Sequence, residues 1–435
     1  MFKISNRTFY ARHNNEISKF INDKDTLHIV NKSSENKISI HEGELLVLDL
    51  DKTDFNQVLK SEKKYRSILV TDVIEDYDNV FTLLKEINNL LAPDGKLIIS
   101  SLNTKYILIF KFLEFLKIKD SNRNNSYIHV KNIKNLTNGI GLNFQKFYTK
   151  QIFPFKLFSF GDLLNKFLEV VFFRFNLGLK TYIIFRSSAV VYSNSSKSII
   201  IPAKNEEGNL FELISRIPKF NDTEIIFSYG ESRDNTLSVM EEIILTNNHF
   251  KFKLVKQSKN GKANAVWEAL EVAENDLIAI LDADISVDPE TLISFFEIID
   301  KNNADFVNGT RLVYDMEKNS MKFLNRIGNS FFQFFIGKII NETITDSLCG
   351  TKVFKKNNLY ELYRWQNIIK KRDPFGDFDL IFSAAYFGNK IVEHPIIYRE
   401  RKYGTTQISR FKDGFHLLIY LIASFLAFNT TLDKK

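Results

Sequence analysis

Between residues 198 and 284, short apolar runs alternate with amphipathic stretches, and this alternation restricts the fold more than any other feature. SIIIPA (198–203), EIIFSY (224–229), FKLVKQ (252–257) and LIAILDAD (277–284) read as strands. GNLFELISRI (208–217), DNTLSVMEEIIL (234–245) and AVWEALEVA (265–273) read as helices. Such an order predicts an α/β fold, a parallel sheet with helices on both faces. Ligands of such sheets bind beyond the carboxyl ends of the strands.

With 435 residues the chain is expected to hold more than one domain. The polar run SNSSKS (193–198) reads as a linker. Upstream lies a second, less regular α/β region. There RSILVTDVIED (66–76) is a strand with an acidic loop, NVFTLLKEINNLL (79–91) a helix, APDG (92–95) a turn, and KLIISSLN (96–103) a strand. The expected domains are 1–192, 197–412 and an apolar C-terminal helix and tail at 413–435.

The carboxylates Asp282 and Asp284 follow an apolar run with one residue between them. On an extended segment both would point to one side and repel. A divalent cation such as Mg2+ or Mn2+ removes the repulsion and shares oxygen ligands with substrate phosphates. The alternative is a solvated turn, with Asp288-Pro289 opening the next helix. IPAKNEEGNL (201–210) places polar residues directly after a strand; Asn205 could instead cap the next helix, with Glu206 and Glu207 in its first turn. In SRDNT (232–236), Asp234 or Asn235 could be a plain cap. KNGK (259–262) puts two lysines around a glycine at a helix start, which suits phosphates but also suits an ordinary loop.

In this order and at this spacing, IPAKNEEGNL, GESRDNT, KNGKANAVWEAL and ILDAD resemble the family-2 glycosyltransferases. TDSLCGTKVFKK (345–356) and GDFDLIFSAAYFGNKIVEHPIIYRERKYGTTQIS (376–409) resemble segments of the polyprenyl-phosphate sugar synthases, of which dolichol-phosphate mannose synthase is the familiar case. The resemblance implies a nucleotide-sugar-binding A-type, Rossmann-like domain that inverts the sugar's anomeric carbon. It sets Pro202, Lys204, Asn205, Glu206 and Asp234 against or near the nucleotide, and Lys262 near the nucleotide or its phosphates. Asp282 and Asp284 would hold Mg2+ or Mn2+ on the donor diphosphate, with Asp282 also a donor ligand. Arg401, with Arg399 as a second candidate, would neutralise the leaving group. A hydroxyl acceptor needs a general base, for which Asp377 and Asp379 are candidates, Asp377 being also a candidate helix cap. A lipid-phosphate acceptor needs none. Asp346 belongs to the acceptor side or caps a turn. Tyr229 stands where the family usually has an acid, and Ser286 where some members have a metal-assisting Gln.

DVIEDYDNVFTLLKEINNLLAPDGKLIISSLN (72–103) resembles the second half of a class I S-adenosylmethionine-dependent methyltransferase, and FYARHNNEISKFI (9–21) the start of fused methyltransferase–glycosyltransferase chains. TLHIVNKSSENKISI (26–40), where a glycine-rich turn belongs, has no glycine. The expectation is an incomplete Rossmann-like domain that has lost methyl transfer.

The expected partners are therefore a nucleoside-diphosphate sugar and a lipid-phosphate or glycan acceptor, with no nucleic acid. A non-catalytic sugar-nucleotide-binding scaffold and a methyltransferase with an accessory domain are the competing readings. A net charge of +7 favours anionic partners without selecting one. The single cysteine, Cys349, excludes an internal disulfide, and the N-terminal residues have no signal-peptide core, so a cytoplasmic location is expected, with the inner face of the cell membrane as its extension. FKLFSFGDLLNKFLEVVFFRFNLG (155–178), FLNRIGNSFFQFFIGKII (323–340) and RFKDGFHLLIYLIASFLAF (410–428) read as core helices or as helices lying on lipid. Phe415–Phe428 would span about 21 Å as a helix, too short for a ~30 Å hydrocarbon core.

Overall fold

The computed structural model describes residues 6–21, 25–38, 43–48, 63–77, 79–115, 129–137, 140–154, 160–172, 175–188, 195–312, 323–371, 373–401, 403–404 and 410–429. The chain divides into two compact units, Met1–Val190 with Thr431–Lys435, and Val191–Thr430. Residues 193–194 of the expected linker and 405–409 of the closing segment lie outside the described residues.

The first unit holds β1 (Thr26–Asn31), β2 (Glu44–Leu48), β3 (Tyr65–Thr71), β4 (Leu91–Leu102), β5 (Leu142–Lys150) and β6 (Lys180–Ser187). Their order is β2-β1-β3-β4-β6-β5. The first four are parallel, and β6 runs antiparallel to both β4 and β5. The helix Val80–Leu90 buries Val80, Leu83, Leu84, Ile87 and Leu90, the spacing of one helical face. Asn79 accepts a hydrogen bond from the Thr82 amide at 3.1 Å and caps it. APDG, expected as a turn, lies within the span of β4.

The second unit holds β7 (Lys197–Ala203), β8 (Thr223–Tyr229), β9 (Lys251–Lys256), β10 (Leu277–Ile280), β11 (Phe306–Thr310), β12 (Lys352–Lys355) and β13 (Ile391–Pro395). The order is β13-β11-β12-β10-β7-β8-β9. The four strands expected from the sequence do lie side by side and parallel. The whole sheet is mixed, because β12 runs antiparallel to its neighbours β10 and β11. Alternate residues feed two cores. Ile200, Ile226, Ile278 and Ile280 pack with Trp267 and Trp365, while Ile199, Ile201, Ile225 and Phe227 pack with Leu213 and Phe295. Burial on both faces makes these strands continuous apolar runs.

One boundary needs correction. The strand expected over 277–284 ends at Ile280, so Asp282 and Asp284 stand on the turn beyond it. The C-terminal apolar segment, set apart from residue 413 in the sequence, forms the helix Arg410–Asn429 within the second unit. Leu417, Tyr420 and Leu421 are buried in its core, and Trp365 Nε1 donates to Tyr420 Oη at 2.7 Å. Among the described residues, no helix is long and apolar enough to cross a membrane.

Candidate active site

The turn after β10 separates its two carboxylates. Asp282 Oδ1 pairs with Lys262 Nζ at 2.5 Å, both side chains remaining about a quarter exposed. Asp284 is buried; its Oδ2 pairs with Arg401, and its Oδ1 accepts from the amide and hydroxyl of Ser286 at 3.0 and 2.6 Å. Ile285 between them has φ +53°, a costly conformation for a β-branched residue. The later chain holds this turn in place. Arg399 N donates to Ser286 O at 2.9 Å, and Val287 bridges to Tyr398. Asp288 does not cap the following turn; it receives Arg216 at 2.6 Å and Arg399 at 2.8 Å.

Charge is distributed unevenly here. Burial works to raise the Asp282 carboxyl, but Lys262, then Lys352 and Arg311, hold it below its ordinary value. Burial opposes the Lys262 charge, yet Asp282 and Asp377 raise its pKa. Burial likewise opposes the Arg401 charge, and Asp284 and Glu206 overcome it.

Loops after β7 and β8 interlock. Pro202 lies within β7, and Lys204 is half-buried just past its end. Asn205, at φ +57°, donates its amide to Ser232 Oγ at 3.0 Å and accepts from the Arg233 amide at 2.7 Å. It does not cap the next helix, which begins at Leu210. The buried Glu206 takes Asn209 Nδ2 at 2.6 Å and Arg401 at 3.5 Å, and burial pushes its carboxyl up to about 7. Asp234 accepts from the Thr236 amide at 3.1 Å, as a cap would, and from the Glu207 amide at 3.3 Å. Tyr229 ends β8 and its hydroxyl accepts from the Ser232 amide at 3.1 Å. Tyr403 lies across Gly208, where a Cβ would come within 2.7 Å of its ring.

The two candidate bases part company. Asp377 pairs with the fully buried Lys352 at 2.8 Å. Lys352 lies opposite Ile280, the last residue of β10, so this pair borders the Asp282 cluster. Asp379 faces other groups: its Oδ1 accepts from Gln366 at 2.5 Å and from Tyr420, and burial raises its pKa strongly. Asp377 is not the helix cap; Asp373 accepts from the amides of Phe375, Gly376 and Asp379 at 2.6–2.8 Å. Asp346 is fully buried in a two-pronged pair with Arg311 at 2.6 and 2.8 Å, joined by Asn329 at 3.0 Å.

Residues 198–363 match the family described as Glycosyl transferase family 2. The chain carries a family-2 glycosyltransferase domain. It is 23% identical over 228 residues to the low-salt glycan biosynthesis hexosyltransferase of Haloferax volcanii, covering 52% of this chain and 53% of that protein. It is 24% identical over 225 residues to the dolichyl-phosphate hexose transferase of the same organism, covering 51% of this chain and 91% of that one. A UDP-N-acetylglucosamine–dolichyl-phosphate N-acetylglucosaminyltransferase of Methanococcus voltae is 28% identical over 178 residues, 37% of this chain and 70% of the relative. The chain thus spans about half the length of the first of these relatives.

Asp282 and Asp284 of the transferase domain fit a hard divalent cation only when phosphate or water completes its shell. Among the described residues, no cluster of three or more His, Cys, Asp or Glu side chains could hold a metal alone. Two carboxylates suit Mg2+ or Mn2+, which commonly take one or two from the protein. Gly350 packs directly against this site: a Cβ there would collide with the Asp282 carboxylate and come within 2.6 Å of Lys262 Nζ. Sequence reasoning missed Gly350, Arg311 and Lys352. Arg311 directly follows β11, a strand-end position like the others; Lys352 is one lysine among many.

In the first unit, Asp72 at the end of β3 has φ +54° and is bound by Lys180, by Tyr10 at 3.0 Å and by Ser34 at 3.3 Å. Glu75 Oε1 accepts the Leu102 amide at 2.8 Å, while its Oε2 is buried without a partner. A 3-10 turn, Lys32–Lys37, follows β1 where the glycines are missing.

Proposed function

We propose that the chain moves a sugar from a nucleoside-diphosphate sugar to a polyprenyl phosphate or another lipid or glycan acceptor, with inversion. The observation that carries this reading is the pairing of Asp282 with Lys262 and of Asp284 with Arg401, just beyond β10. Two acids and two cations converge there from loops distant in sequence. This set can take up a diphosphate, because each cation has a carboxylate to leave and a phosphate to receive.

Asp282 and Asp284 would hold Mg2+ or Mn2+, which supplies Lewis-acid neutralisation of the diphosphate. Lys262 and Arg401 stabilise the charge of the departing nucleoside diphosphate. Pro202, Lys204, Asn205, Glu206 and Asp234 frame the nucleotide, with Asp234 acting through the interlocked loops. Asp377, beside Lys352, is the base for a hydroxyl acceptor. An anionic lipid phosphate attacks without one. The dolichyl-phosphate transferases among the relatives favour a lipid-phosphate acceptor; with a lipid-borne acceptor the protein would work at the inner face of the cell membrane.

The first unit is read as a methyltransferase-like domain without methyl transfer. Supporting this, residues 26–40 hold no glycine, and the protein's own Tyr10, Ser34 and Lys180 engage Asp72.

The test is nucleoside diphosphate release from a panel of UDP- and GDP-sugars, with Mn2+ or Mg2+ and membrane lipid extract. Metal-dependent release that Asp284→Ala abolishes supports the transferase. Nucleotide binding without release leaves the scaffold reading in its place, and neither release nor binding from any donor sinks the metal-site claim.

A further inference from the structure

We propose that the first unit docks on an anionic lipid bilayer through the helices Ile107–Phe115 and Phe160–Val171. Each presents an apolar stripe to solvent. Leu108 is 82% exposed, Phe112 60% and Phe115 81% on the first; Phe160 is 61%, Leu163 64% and Phe167 60% on the second. Their spacings, i, i+4, i+7 and i, i+3, i+7, each define one helical face. These are large apolar side chains on two short helices, placed where a water-facing surface would carry polar groups.

The two stripes belong to one region of the unit. Tyr106 Oη donates to Leu177 O at 2.6 Å and Asn103 Nδ2 to Asn176 O at 2.9 Å. These bonds seat the start of the first helix beside the chain leaving the second.

Charge selects the occupant. On the second helix Asp162 is held by Arg12 at 2.9 Å, and Glu169 by Lys150 at 3.2 Å and the Gln151 amide at 2.6 Å. Both acids are thereby neutralised or turned to the protein, leaving Lys166 as that helix's remaining charge. Lys105 and Lys111 are exposed on and before the first helix, whose one acid is Glu114. Phenylalanine and leucine on one face with lysines beside them is the make-up of a helix lying in a lipid interface. A protein interface core, in contrast, is poor in lysine. Choosing a bilayer rests in part on the lipid-phosphate acceptor proposed above.

The test is co-sedimentation of the full chain with phosphatidylcholine vesicles, with and without phosphatidylglycerol, in the absence of any sugar donor. Transfer to a water-soluble short-chain acceptor phosphate is measured separately. The expected result is binding to the anionic vesicles, weakened at least about tenfold in Phe112→Glu/Phe167→Glu. That variant should keep the wild-type Tm and its short-chain transfer. Three results overturn the proposal: no binding by the wild type, equal binding by the variant, or loss of binding only in Phe415→Glu/Ile422→Glu on the helix Arg410–Asn429. If vesicle binding persists while no donor is turned over, the docking stands and the transferase reading falls.

Discussion

Lys262 Nζ lies 2.5 Å from Asp282 Oδ1, and the backbone of Gly350 passes close enough that neither side chain would tolerate a Cβ there. Gly350→Ala is therefore expected to push this pair apart while leaving the cores untouched. Nucleoside diphosphate release should fall at least about tenfold, one pair's worth of misplacement, with Tm nearly unchanged. Wild-type turnover in the variant would mean that the pair is not at the reacting centre.

Asp282→Asn leaves Lys262 without its carboxylate but keeps the side-chain shape. Calorimetric titration of UDP or GDP should show that added Mn2+ strengthens binding to the wild type and not to this variant. The same metal enhancement in both would remove Asp282 from the cation's ligands.

Arg311 and Asp346 form a buried pair, and losing one partner strands the other. Asp346→Asn is expected to cost about 3–5 kcal/mol in urea unfolding. Replacing both, as Arg311→Met/Asp346→Leu, should recover most of that loss. Burial opposes the Asp346 charge, and Arg311 outweighs it to hold the carboxyl below its ordinary value, so its contribution is present at neutral pH and fades in acid.

Glu75 gives the opposite pH dependence. Burial, with Asp72 next, raises its carboxyl to about 7, above the 4.5 of an unperturbed glutamate. Between these values the native chain keeps a proton that the unfolded chain has released. Its contribution to stability is therefore greatest in acid and declines as pH rises from 4.5 towards 7. Glu75→Gln should flatten this part of a Tm-against-pH curve; an unchanged slope would place the titration elsewhere.

Cys349 is buried, and desolvation pushes its thiol up to about 12. A thiol reagent such as dithionitrobenzoate should find no reactive group in the native protein and one after denaturation. Rapid native labelling would show that the segment opens.

By itself the sequence determined the parallel core of the second unit, because strands buried on both faces must be apolar along their length. SIIIPA, EIIFSY and FKLVKQ are β7, β8 and β9 to within a residue at each end, while LIAILDAD runs four residues past the end of β10. It also exposed the polar loops at their carboxyl ends, since a charged residue directly after a buried strand has few other reasons to be there. Tertiary structure decided which charges meet. Lys262 and Asp282 are 20 residues apart, Asp284 and Arg401 117, and Lys352 reaches Asp377 only because β12 turns antiparallel beside β10. Asp377 and Asp379 are two residues apart on one helix, yet the first faces Lys352 and the second Tyr420. Local pattern records whether a side chain is apolar. A buried charge is stabilised by a partner brought by another strand or helix, and that partner is fixed only when the sheet closes its register.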